Sequence, residues 1–115
     1  MKLTRFENPP AVEHLLFQVD PELVEKFIEL DFEIWTKKLS TYPGFISKET
    51  WVSKDNPGEV ATIIYWSDYK LWKAIDHEAL IETDRIFTKK MGEGTFKIVR
   101  AYHDESQSYK VMEYK

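Results

Sequence analysis

FISKETWVSKDNPGEVATIIYW, residues 45–66, decides the fold. Its first ten residues alternate, Ile46, Lys48, Thr50 and Val52 against Phe45, Ser47, Glu49 and Trp51, which is the period of a strand. Asp55-Asn56-Pro57-Gly58 is dense in turn-forming residues. Residues 59–66 are β-branched and aromatic, with apolar groups at odd and even positions alike. The stretch therefore reads as a β-hairpin whose second strand is covered on both faces.

The elements on either side follow from that hairpin. Downstream, Ser67 is an N-cap candidate for a short helix over 68–75, and Asp76 for a longer one from His77 to about Met91. Leu80, Asp84, Phe87 and Met91 lie in register along the longer helix, and Gly92 and Gly94 close it. Residues 95–104 make a fourth strand. Upstream, Tyr42-Pro43-Gly44 ends a helix that Asp20 and Pro21 begin, the acid as N-cap and the proline at the first helical position. Leu23, Phe27, Leu30 and Ile34 form the apolar stripe of this helix, widened by Val24, Ile28, Trp35 and Leu39. Residues 11–19, AVEHLLFQV, make the first strand. Ala11, Leu15, Phe17 and Val19 share one face, with Glu13 the exception, and Val12, His14, Leu16 and Gln18 share the other.

The order β-α-β-β-α-β predicts an α+β, ferredoxin-like domain with an antiparallel sheet and both helices on one face. The expected organisation is a lead-in over 1–10, a core over 11–104 and a tail over 105–115 that could add an edge strand or embrace a partner. The sheet's bare face carries apolar groups from the first and third strands. Such a face marks an interface, and a homodimer packed sheet to sheet is the expected solution.

Bulk properties narrow the function. The chain has 115 residues, enough for one domain. It has no cysteine, which excludes disulfides, thiolate metal sites and thiol nucleophiles. Sixteen basic against 20 acidic residues, with no basic block, speak against nucleic acid binding. No apolar run suits a signal peptide or membrane span, so a cytoplasmic protein is expected. No P-loop, G-x-G-x-x-G or G-x-S-x-G motif occurs. The three histidines lack metal-ligand spacing, and neither a metal nor a cofactor is expected. Seven Phe, six Tyr and four Trp suit either a core of large side chains or an aromatic-lined cavity.

Pro43-Gly44-Phe45 after the first helix, Trp66 closing the third strand and His77 in the elbow before the last helix carry a resemblance. The chain resembles the dimeric α/β-barrel superfamily and, within it, antibiotic-biosynthesis-monooxygenase-like domains, over roughly residues 11–103. The resemblance implies a cavity between helices and sheet that holds a planar aromatic or polyketide-like molecule. In haem-degrading relatives an Asn on the first strand joins a Trp and a His on the helical side. Here the first strand has no Asn, and the position ten residues beyond Trp72 is Glu82. That triad is not reproduced.

His77 is the candidate catalytic residue, because a neutral imidazole at a helix start could act as base or hydrogen-bond a ligand oxygen; a surface elbow histidine is the plainer reading. Candidate ligand-binding residues are His14, Trp66, Trp72, Phe27 and Trp51, each of which could equally be core or surface. Glu49 and Asp84 are acids in apolar registers, whose pKa would rise if buried. Three functions fit: a cofactor-independent monooxygenase-like enzyme, a non-catalytic carrier of an apolar ligand such as a fatty acid or quinone, and a structural dimer. An ionisable group inside the cavity distinguishes the first from the second.

Overall fold

The computed structural model describes residues 9–102. The tail and His103 lie outside the described residues. Four strands, β1 (Ala11–Val19), β2 (Phe45–Val52), β3 (Glu59–Trp66) and β4 (Phe96–Tyr102), form one antiparallel sheet in the order β2-β3-β1-β4. That is the ferredoxin-like arrangement.

Local chemistry sets the ends of the helices. Asp20 accepts the Glu22 N–H at 3.1 Å and opens the first helical run. This run passes from a 3-10 turn (Pro21–Leu23) through α1 (Val24–Leu30) and a π-helical stretch (Asp31–Thr36) to α2 (Lys37–Leu39). The short helix α3 (Tyr69–Lys73) is capped by Asp68, not by the expected Ser67. Its carboxylate accepts two orphan N–H groups, from Lys70 at 2.6 Å and Leu71 at 3.3 Å, where a hydroxyl is the weaker acceptor. The Ser67 N–H instead donates to Gly44 O at 2.8 Å. Asp76 caps α4 (His77–Met91) through the Glu78 N–H, as expected.

The turn between β2 and β3 is locked to the end of β1. Val19 N–H donates to Gly58 O at 2.7 Å, and Gly58 has φ +86°, with no room for a β-carbon against the Val19 carbonyl. Only glycine combines that backbone with that approach.

Strand β3 alternates strictly. Val60, Thr62, Ile64 and Trp66 are buried under the helices, while Ala61, Ile63 and Tyr65 are half-buried on the open face. The core divides into two clusters. One gathers Ala11, Leu39, Ile64, Trp66, Tyr69 and Trp72; the other gathers Phe17, Val19, Phe27, Val60, Phe87 and Met91. Between them on β1 lie Glu13 and Leu15.

Candidate active-site cavity

A cavity of about 300 Å³ occupies the gap between the two clusters. Its floor is the inner face of the sheet, including Glu13 and Leu15 of β1, Lys48 of β2 and Thr62 and Ile64 of β3. The first helical run gives Phe27, Asp31, Trp35 and Leu39; α3 gives Trp72; α4 gives Leu80, Asp84 and Phe87. The four residues of the first run recur every four positions. That spacing drifts around an ideal α-helix of 3.6 residues per turn. The wider π-helical turns over Asp31–Thr36 take up the drift and keep all four on the cavity side.

The polar groups are placed by strand register. Glu13 and Lys48 both pair with Ile64, one from each side, so they flank it on one face of the sheet. Their backbones stand two strand spacings apart, about 9.5 Å. Lys48 reaches up to the helix, where its Nζ donates to Asp31 Oδ2 at 2.6 Å. Both side chains of this ion pair are buried, 4% and 8% exposed. Burial still holds the Asp31 carboxyl above its ordinary range, against the pull of Lys48. Glu13 accepts no side-chain hydrogen bond among the described residues. Burial pushes its pKa up to about 7, with Lys48 and then Lys73 pulling it back down. The Lys73 ammonium itself lies over the Trp72 ring, 4.6 Å from the centroid.

Of the residues singled out in the sequence, the structure brings Phe27 and Trp72 to the cavity wall. Asp84 also reaches it, on a residue exposed at its outer side. The others stand elsewhere. Trp66 points to the same side of the sheet but is sealed in the neighbouring cluster, 1% exposed and edge-on to Phe45 at 5.7 Å. Its Nε1–H has no hydrogen-bond partner among the described residues. His14 and Trp51 are on the opposite face of the sheet, because side chains alternate along a strand. His14 lies 5.8 Å from the Tyr102 ring, and Trp51 donates from Nε1 to Glu49 at 3.0 Å. His77 is exposed at the first position of α4, outside the cavity lining. Among the described residues no three His, Asp or Glu side chains are grouped to hold a metal ion.

Sequence reasoning missed Glu13, Asp31 and Lys48 as site residues. The signal for Glu13 was present, since it is the one acid on an apolar strand face. Asp31 continues the four-residue spacing of Phe27, Trp35 and Leu39. Lys48 has no comparable mark.

The Antibiotic biosynthesis monooxygenase family profile matches residues 10–78. The chain belongs to that family. Strands β1 to β3, the first helical run and α3 all fall inside the matched span. Solved structures agree in fold. SnoaB, a cofactor-independent oxygenase from Streptomyces nogalater, superposes with a TM-score of 0.62 at 12% identity, covering 84% of this chain and 94% of that one. MupZ from Pseudomonas fluorescens gives 0.61 at 15%, covering 88% and 71%. A conserved protein from Methanosarcina mazei gives 0.60 at 17%, covering 84% and 94%. No curated protein matches the chain by sequence. No helix among the described residues is long and apolar enough to cross a membrane.

Proposed function

We propose that this family member is a cofactor-independent oxygenase-type enzyme acting on a small planar aromatic molecule held in the cavity. The observation that carries the reading is Glu13, whose carboxyl burial pushes up to about 7, in a cavity lined mainly by aromatic and aliphatic side chains with the Asp31–Lys48 pair beside it. A general base works best when its pKa lies near the working pH. Glu13, rather than the exposed His77, is the base in this reading. Its role is to take a proton from an enolisable ring ketone, leaving an electron-rich anion. Molecular oxygen is the oxidant: a ring CH₂ and O₂ become a ring C=O and water, with both electron pairs supplied by the substrate. Phe27, Trp35, Trp72 and Phe87 would sandwich the rings and exclude bulk water.

The test is aerobic turnover of a planar enolisable ring ketone in labelled O₂, without added metal or flavin. One labelled oxygen atom in the product, with one O₂ consumed per ketone formed, is the expected result. Tight binding of the same ketone without oxygen uptake would instead favour the carrier reading.

The same reading includes a homodimer through the open face of the sheet. Val12 and Tyr102 are 38% and 41% exposed there, Trp51 60%, with Leu16 and Ile63 half-buried between the strands. An apolar face of this kind favours a second copy. Light scattering should give twice the chain mass of 13.7 kDa, and Leu16→Lys should halve it. A monomeric wild-type protein would refute this assembly.

A further inference from the structure

Lys48 pairs with Asp31 through one of its donors. An ammonium has three donors, and among the described residues only the one to Asp31 is used. The side chain is 4% exposed and lines the cavity, so its remaining N–H groups have no bulk water to turn to. Across Ile64, Glu13 presents carboxyl oxygens that accept no hydrogen bond among the described residues. One cavity thus holds an unused donor set on Lys48 and an unused acceptor on Glu13, side chains whose backbones stand about two strand spacings apart. A donor or acceptor left unmatched when a ligand fills the cavity is costly, so a ligand that supplies the partner binds better than one that does not.

We infer that the cavity selects ligands carrying both a hydroxyl, which donates to Glu13, and a carbonyl, which accepts from Lys48, at opposite ends of one planar skeleton. This rests on the proposed ligand cavity and deepens it by naming the substrate class. Asp31 is a positioning residue here, because it holds the Lys48 ammonium toward the helix side of the cavity. In turnover, the ring CH₂ that Glu13 deprotonates would lie at the hydroxyl end, conjugated through the ring to the carbonyl, and Lys48 would stabilise the oxyanion that forms there. Ligands with only one of the two groups leave half of the pair unmatched.

Three two-ring probes test this by calorimetry: a hydroxytetralone with hydroxyl and ketone at opposite ends, tetralone without the hydroxyl, and the tetralin phenol without the ketone. The hydroxytetralone should bind about tenfold or more tighter than either parent. In Glu13→Gln the advantage of the hydroxytetralone over tetralone should shrink, because a neutral amide is the weaker acceptor, while its advantage over the phenol should stay. In the Asp31→Leu/Lys48→Met double variant the pattern should invert. Equal binding of the three probes by the wild type would overturn the donor–acceptor pair and leave the cavity reading standing. Binding of none of them would overturn both. The wild-type comparison requires no variant to fold.

Discussion

Glu13→Gln should slow oxygenation by about a hundredfold or more and at the same time make the protein more stable at alkaline pH. The two effects share one cause. Burial raises the Glu13 pKa to about 7, whereas in the unfolded chain it titrates at roughly 4.3. Between those values the folded state holds a proton that the unfolded state has released, so stability falls as pH rises. The contribution is fully present below the unfolded value and is lost as pH passes through about 7. Glutamine has no ionised form to desolvate. The variant should therefore match the wild type near pH 4 and exceed it by up to about 4 kcal/mol above pH 8. Lys48 and Lys73 moderate the wild-type penalty. The catalytic limb runs the other way. Only the carboxylate accepts a proton, so wild-type kcat/KM should climb with pH to a midpoint near the same value, and the variant should lack that climb. Urea unfolding at two pH values, with a pH–rate profile, checks both limbs. Unchanged turnover in Glu13→Gln would remove Glu13 as the base, and pH-independent stability differences would show that its carboxyl is well solvated.

The second large effect concerns the ion pair beneath the first helical run. Asp31→Asn should cost about 3–5 kcal/mol, because it leaves the Lys48 ammonium buried without its counter-charge. Lys48→Met should cost a similar amount by stranding Asp31, whose carboxyl already sits above its ordinary range. The double variant Asp31→Leu/Lys48→Met should recover most of either loss, since replacing both buried charges by apolar groups is often neutral or better. Urea midpoints at constant m-value measure all three. A single-variant cost below about 1 kcal/mol, as for a surface pair, would mean that water reaches the 2.6 Å contact freely.

These two predictions stand on residues of unequal visibility. Asp20, Asp76 and the Asn56-Pro57-Gly58 turn declare their elements through interactions with near neighbours, so helix starts, the hairpin and hence the ferredoxin-like order can be read directly from the chain. The capping of α3 by Asp68 instead of Ser67 is a one-residue difference within the same local chemistry. Phe27 and Trp72 are legible as large apolar groups on inward stripes, and their place on the cavity wall follows. The period of a strand separates His14 from Glu13 and Trp51 from Lys48, but it does not say which set the helices will cover, because β1 and β3 are apolar on both faces. Only the packing of the first helical run and α4 onto one side made Glu13 and Lys48 inward and His14 and Trp51 outward.

The register shift between Phe45 and Ser47 acts in the same way. It places Ile46 outside the ladder, 58% exposed, and brings Lys48 opposite Ile64. The sequence by itself determined the elements, their order and their caps, because those depend on neighbours a few positions apart. The tertiary structure alone decided the cavity, the raised pKa of Glu13 and the Asp31–Lys48 pair. The last two are desolvation and charge effects, the pair joining residues 17 positions apart, and all three exist only once the sheet and the helices have closed together.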